Sequence, residues 1–234
     1  MRIGDDWLVL ESVESTQTVA AGSLGSGQAP DVVFARDQTL GRGRFGREWV
    51  SVAGESLTMS LVFTSYIGHP KPWLIGMAVG LAVAMELDCQ IQWPNDLVIG
   101  GRKLGGVLTE MQPESGGGLI PIVGVGLNLN QSSFPDPISS FATSLIMERG
   151  EGVDPEVLAR RIVLRVQEMA EPDSWEVLSG TWVDFDDTPG KVYKTSSGAL
   201  AIAEGISASG ELVARVDGEV VTIMAAEAIF GPTI

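Results

Sequence analysis

The 234-residue chain carries 15 basic and 30 acidic residues, a formal net charge of -15, and is 44% hydrophobic. That apolar content is ample for a packed core and excludes a disordered chain, while the acidic balance argues against a nucleic-acid partner, which needs an extended basic surface. Cys89 is the single cysteine, so no intrachain disulfide forms; the start lacks the apolar core of a signal peptide and the most apolar window, Trp73 to Leu87, is too short to span a bilayer, which together read as cytoplasmic.

Trp7 to Leu10 reads as a short strand, and Ser12 to Thr16 offer hydroxyls to cap a helix running through Val19 and Ala20. Gly22 to Pro30 reads as a loop. Val32 to Ala35 is a buried strand that delivers the chain to Gly41-Arg42-Gly43-Arg44-Phe45-Gly46-Arg47. Ser56 to Phe63 alternates polar and apolar residues, the pattern of a half-buried strand, and Lys71 to Leu87 is a long apolar helix. Strands are expected at Ile91 to Trp93, Gly105 to Glu110 and Leu119 to Val125, the last two joined by a turn at Gly116-Gly117-Gly118. Pro155 to Met169 is amphipathic, with Asp154 placed as its cap and Pro155 in the first position, and a further helix is expected over Asp173 to Ser179. Beyond Gly190 the texture changes to short strands separated by Ser/Gly and Asp-Gly turns, a small β module that packs against the larger domain.

Four of the 15 basic residues, Arg36, Arg42, Arg44 and Arg47, fall within twelve positions. Guanidinium groups fork onto phosphate or carboxylate, and interleaved glycines let backbone N–H groups reach the same oxygens. The sharper reading is an anion-binding loop; the others are an arginine-glycine RNA tract and a solvated basic loop. In Trp93-Pro94-Asn95-Asp96 and Arg102-Lys103-Leu104-Gly105-Gly106, Lys103 either sets its charge on an anionic oxygen or is a solvated lysine of a hairpin turning at Gly100-Gly101. Asp96 is either a metal ligand or a turn residue. The glycines of Gly124-Val125-Gly126-Leu127-Asn128 mark either ligand approach or close strand–helix packing. His69 is the only histidine, which excludes a histidine-based triad or a multi-histidine metal site.

Taken in order, these segments closely resemble the biotin protein ligases. The resemblance is carried by Gly41 to Arg47 with Gln38 before and Trp49 after, by Trp93 to Asp96, Lys103 to Gly106 and Gly124 to Asn128, and by Ala142-Thr143-Ser144-Leu145. It covers essentially the whole chain. It implies an α+β fold: a mixed sheet with packed helices forming a biotin- and ATP-binding catalytic domain over residues 1–187, and a small SH3-like, barrel-like β module over 188–234. It implies an ATP-dependent enzyme that joins the biotin carboxylate to the α-phosphate of ATP, giving biotinyl-5′-AMP. The biotinyl group then passes to a lysine of a biotin carboxyl carrier domain of a biotin-dependent carboxylase.

By the same resemblance Lys103 and Arg42 are catalytic. Biotin is held by Ser15, Thr16, Gln17, Gln38, Gly41, Arg42, Gly43, Arg44, Lys103, Gly106, Gly124 and Gly126. ATP is held by Arg42, Arg44, Arg47, Lys103, Asn128 and Thr143, with Mg2+ accompanying it and Asp96 aiding the metal. Neither nucleic acid nor membrane is an expected partner, and a homodimer is compatible with the resemblance. The chain departs from the family at Gln17, where the pattern is Ser-Thr-Asn, and at Gln92, where a lysine usually precedes Trp-Pro-Asn-Asp; the second removes a positive charge near the expected ligand. The helix-turn-helix of the family's repressor members is not seen ahead of the catalytic segments, so a repressor role is not expected. The competing readings are a lipoate or octanoate ligase or transferase of the same superfamily and a non-catalytic biotin-binding protein. Residues 39–48 are expected to be mobile until a ligand orders them, because like charges and glycines oppose order there.

Overall fold

The computed structural model describes all residues except 26–28, 115, 196, 226–227 and 230–234, and describes Ala228 and Ile229 by their backbone. Part of the expected 22–30 loop and the end of the C-terminal module thus lie outside the described residues. In chain order the larger region contains β1 (Trp7–Leu10), α1 (Thr16–Leu24), β2 (Val32–Ala35), β3 (Gly41–Arg42), β4 (Glu48–Trp49), β5 (Ser56–Val62), α2 (Trp73–Leu87), β6 (Gln90–Gln92), β7 (Asp96–Ile99), β8 (Arg102–Pro113) and β9 (Leu119–Asn128). Three helices follow, α3 (Leu145–Arg149), α4 (Pro155–Glu168) and α5 (Trp175–Trp182). Seven of the strands form one mixed sheet in the order β1-β2-β5-β9-β8-β7-β6. β1 and β2 run parallel, and the remaining neighbours are antiparallel.

The two faces of this sheet bury different residues. Leu57, Met59 and Leu61 of β5 and Val123, Val125 and Leu127 of β9 join one large core with α2 and α4. The alternate residues of the same strands are small: Thr58 stands opposite Gly126, and Ser60 opposite Gly124. Gly126 in turn pairs with Gly106 of β8, and Gly124 with Leu108. Helix α1 covers only part of this second face, through Ala20 against Val33, Val62, Ile120 and Ile122. β5 alternates as expected, but all seven of its residues are buried rather than half of them. Its polar side lies beneath α1, where the Ser60 hydroxyl donates to Thr16 Oγ1 at 2.9 Å and Thr58 Oγ1 donates to the Ala35 carbonyl at 2.9 Å.

Helix limits follow their capping chemistry. α2 begins at Trp73, two residues after the expected Lys71, because Pro72 stands at its N-cap. α4 starts at Pro155 as expected, with Asp154 accepting from Val157 N at 2.9 Å, and stops one residue early because Met169 turns extended. α5 is displaced from Asp173–Ser179 to Trp175–Trp182, since Trp175, Leu178 and Trp182 recur at helical spacing and are buried together. α1 runs to Leu24, beyond the expected loop start, and Ser15 at its N-cap makes no side-chain capping bond. Strand β7 and helix α3 have no counterpart in the elements expected from the sequence. The turn at Gly100-Gly101 that joins β7 to β8 has both glycines at positive φ, 57° and 74°, a conformation that favours glycine.

The C-terminal module is a five-stranded sheet, β10 (Val192–Thr195), β11 (Leu200–Ile206), β12 (Leu212–Val216), β13 (Glu219–Ile223) and β14 (Ala228–Ile229), in the order β13-β12-β11-β10-β14. This is the small β module expected from the sequence; among the described residues β13 and β14 stand at the two ends of the strand order and do not pair with each other. Its inner face, Tyr193, Ala201, Ala203, Leu212, Ala214 and Ile223, enters the same core as α2 and the main sheet. Trp93 is the joint. Its backbone N–H donates to Thr188 Oγ1 at 2.9 Å, its indole N–H to the Gly210 carbonyl at 3.0 Å, and its own carbonyl accepts from Tyr193 Oη at 2.6 Å.

Cys89 is buried at the end of α2, and burial pushes its thiol up to about 12. The unfolded thiol, near the usual ~8.5, ionises first as pH rises, so the native state loses stability between that value and about 12. Urea midpoints measured at pH 8 and pH 10 are expected to fall more steeply for the native sequence than for Cys89→Ala; equal slopes would contradict this placement. No helix among the described residues is long and apolar enough to cross a membrane.

Candidate functional site

The uncovered part of the second sheet face, between α1 and the Gly/Arg loop, is a cavity of about 310 Å³. Its floor is Gly106, Gly124 and Gly126. A methyl at Gly126 would lie 2.7 Å from the Trp49 ring, and one at Gly124 would lie 3.2 Å from Gln17 Cδ. The glycines are therefore absent side chains that make room for Trp49 and Gln17 above the sheet. The Gly/Arg loop folds back as the small β3–β4 hairpin, with Gly41 opposite Trp49. A Cβ at Gly41 would meet the Trp49 carbonyl at 2.4 Å and Gln38 Nε2 at 2.7 Å, so only glycine admits that crossing.

The polar groups divide between two ends. At one, Ser15, Gln17 and Gln38 line the wall. Gln38 Oε1 accepts from the Thr16 N–H at 2.9 Å and from its hydroxyl at 3.1 Å. Gln17 is 5% exposed and its Oε1 has no partner among the described residues. At the other end Lys103 Nζ donates to Asp96 Oδ1 at 2.6 Å, and Arg44 Nη1 to Asn95 Oδ1 at 3.2 Å. Asn95 is itself oriented by donating to the Val107 carbonyl at 2.9 Å. Arg44 also donates through Nη2 to the Ala225 carbonyl of the C-terminal module. Burial pulls its pKa below the usual guanidinium range, Asp96 opposes that, and Arg47 adds to it. The indole N–H of Trp49 is a second buried polar group of the cavity without a partner among the described residues.

Most residues singled out from the sequence converge here: Ser15, Gln17, Gln38, Arg42, Gly43, Arg44, Arg47, Trp49, Asp96, Lys103, Gly106, Gly124, Gly126 and Asn128 line the cavity. Thr16 and Gly41 stand behind the wall, where they hold Gln38 and Trp49. Thr143 is fully buried and its hydroxyl bonds Glu148, while its carbonyl accepts from Asn128 Nδ2 at 3.0 Å, so it acts on the cavity through Asn128. Arg42 lies apart from Lys103: its Nη2 donates to Glu110 Oε2 at 3.1 Å. Glu110 is four residues beyond Gly106, the register partner of Asp96, and four strand residues span about 13 Å. Gln92 is buried and is not part of the cavity wall, so its departure from lysine leaves the arginines and Lys103 of the cavity in place.

Sequence reasoning missed the segment from Gln131 to Phe141, whose Phe134, Pro135, Ile138 and Phe141 make the far wall apolar. It is tied to Lys103 by backbone: Lys103 N donates to the Phe141 carbonyl at 2.7 Å, and Thr143 N donates to the Lys103 carbonyl at 2.8 Å. Phe134, Ile138 and Phe141 recur at helical spacing, but Pro135 and Pro137 interrupt a helix there, so the pattern did not mark an element. No group of three or more His, Cys, Asp and Glu among the described residues could hold a metal, and Asp96 is already paired with Lys103. The described residues do not make a resident metal site.

The cavity is apolar along its length, with the amides of Gln17 and Gln38 and the Arg42–Glu110 pair at one end and Lys103 and Arg44 at the other, an arrangement suited to an elongated amphiphile with an anionic head. Residues 9–128 match the family model described as the biotin/lipoate A/B protein ligase family, and the chain belongs to that family. The bifunctional ligase/repressor BirA of Bacillus spizizenii is 37% identical over 167 residues, covering 67% of this chain and 51% of that protein. The match thus spans about half the length of that relative. The biotin–[acetyl-CoA-carboxylase] ligase of Paracoccus denitrificans is 32% identical over 218 residues, 85% of this chain and 90% of that protein. Among solved structures, the biotin protein ligase from Aquifex aeolicus in complex with biotin and ATP superposes with a TM-score of 0.78 at 24% identity, covering 97% of this chain and 98% of that one. At that identity the likeness establishes a shared fold.

Proposed function

We propose that this protein is an ATP-dependent biotin protein ligase. It activates biotin as biotinyl-5′-AMP and transfers the biotinyl group to a lysine of a carboxylase's biotin carboxyl carrier domain. The observation that carries this is the cavity's polarity: a buried acceptor on Gln17 at one end, Lys103 and Arg44 at the other, and an apolar wall between. A ureido ring, a hydrocarbon chain and a carboxylate follow each other in the same order along biotin. The names of the Paracoccus and Aquifex relatives support the substrate and the carboxylase acceptor.

In the first half-reaction two anions meet, so the enzyme's part is to lower their repulsion and hold them in line. Lys103 leaves Asp96 for the biotin carboxylate and then for the adenylate phosphate. Arg44 and Arg47 hold phosphate oxygens, and Arg42 reaches an anion only by exchanging Glu110 for it. Asn128 and the wall of Phe134, Ile138 and Phe141 take the adenosine half. Magnesium enters on the phosphates of ATP, as part of the substrate. In the second half-reaction the acceptor amine attacks the acyl carbon and AMP leaves, with no covalent enzyme intermediate. The catalytic unit spans 1–187 and the β module 188–234. A cytoplasmic location and a homodimer complete the proposal.

Biotin-dependent pyrophosphate release from ATP, run beside lipoate, tests it. Release with biotin is the expected result; release with lipoate alone would replace this reading by its nearest rival. The loop gives a second measurement. Residues 39–48 roof the cavity and leave Leu40 and Phe45 exposed. Biotin plus ATP is expected to slow trypsin cleavage at Arg42, Arg44 and Arg47 at least several-fold, and unchanged cleavage would count against ligand ordering.

A further inference from the structure

The amide of Gln17 is oriented by two acceptors on β8. Its Nε2 donates to Glu110 Oε2 at 3.2 Å and to the Leu108 carbonyl at 3.4 Å. A carboxylate and a carbonyl can only accept, so the –NH2 must face them and the amide oxygen must face away. That oxygen is buried without a partner among the described residues, and Gln17 lines the cavity. The same Glu110 oxygen accepts from Arg42 at 3.1 Å. Glu110 itself is not part of the cavity wall. It stands on β8 opposite Ile122, outside the floor glycines.

We propose that Glu110 is a positioning residue that determines substrate specificity. By holding the Gln17 –NH2 it keeps a bare acceptor turned inward, so this end of the cavity selects a ligand that carries N–H donors. The inference rests on the biotin reading: a ureido ring supplies such donors, and the dithiolane or alkyl end of lipoate or octanoate supplies none. A donor-free ligand leaves Gln17 Oε1 unpaired, a loss of about 10- to 100-fold in binding. The alternative role for Glu110 is simple pairing with Arg42. That pair is partly exposed, at 47% and 28% of the side chains, and such pairs contribute little.

The two roles separate in Glu110→Gln and Glu110→Leu, made in the full chain and assayed by pyrophosphate release with melting temperatures alongside. Gln at 110 keeps an acceptor for Gln17 and loses the charge on Arg42; Leu removes both. Glu110→Leu is expected to raise KM for biotin about tenfold or more, with KM for ATP and the melting temperature little changed. Glu110→Gln is expected to recover most of that loss. An unchanged KM for biotin in Glu110→Leu would overturn the proposal. So would equal impairment of both variants, which would assign the effect to the Arg42 charge, or a joint rise in both KM values with a lower melting temperature, which would make Glu110 structural. Wild-type protein that releases no pyrophosphate with biotin would overturn the functional reading itself, a separate result.

Discussion

Lys103→Ala is expected to lower biotin-dependent pyrophosphate release by about 10²- to 10³-fold, the usual loss for one preorganised charge at a developing anion. The backbone of Lys103 is bonded by residues 141 and 143 on one side and paired with Val98 of β7 on the other, so the truncation removes the ammonium and leaves the strand in place. Its side chain is 35% exposed and that of its partner Asp96 17%, and a pair that keeps contact with solvent is worth about 1 kcal/mol. The melting temperature should therefore stay within a few degrees of wild type. The loss belongs mainly in kcat, because the charge Lys103 meets grows between the bound carboxylate and the adenylate. Near-normal turnover in Lys103→Ala would remove Lys103 from the reaction. A parallel loss of turnover and melting temperature would reassign it to the fold.

Gly105→Ala carries the largest expected stability effect. Gly105 lies between β7 and β9, paired with Leu97 on one side and Leu127 on the other. A methyl there would stand 2.3 Å from the Gly126 carbonyl oxygen and 2.6 Å from Leu127 Cδ2. The first of these is backbone, which cannot swing away, so the sheet itself must shift. Overpacking of this kind costs about 3 kcal/mol, or roughly 10 °C in a protein of this size. The neighbour behaves differently. At Gly106 a methyl would meet Asn95 O at 3.3 Å, a tight contact, and Asp96 Oδ1 at 3.5 Å, an ordinary one, so it intrudes on the cavity floor beside the partner of Lys103 rather than on the sheet. Gly106→Ala should keep most of its stability and lose adenylation. Thermal scans of the two variants, each with its pyrophosphate assay, separate them. A stable Gly105→Ala protein would show that the β7–β8–β9 packing is looser than these distances require.

Which groups of residues meet was legible from the sequence to an uneven degree. The Gly/Arg loop stood out by its composition, cations concentrated in an acidic chain. Lys103 and the glycines at 124 and 126 each read two ways, as ligand contacts or as ordinary hairpin and strand packing, until the ordered set of segments was seen to resemble the biotin protein ligases. The far wall from Gln131 to Phe141 carries no such mark. Its place in the site comes from the two hydrogen bonds that lay it against Lys103, contacts between positions almost forty residues apart. The alternation of β5 was read correctly and its meaning was not. Thr58 and Ser60 face a buried floor beneath α1 instead of water, and a period of two is the same for either environment.

By itself the sequence determined the order of the chemistry-bearing segments, the family they belong to, and the helices whose apolar spacing or caps are local, such as α2 and α4. Those properties depend on residues within a few turns of one another. Only the tertiary structure decided that Arg42 pairs with Glu110 away from Lys103, that Gln92 lies outside the cavity, and that the β module is joined to the main sheet through Trp93 and Tyr193. Each of these is set by strand register and by which face of the sheet a side chain occupies, and a shift of one residue in register would reverse it.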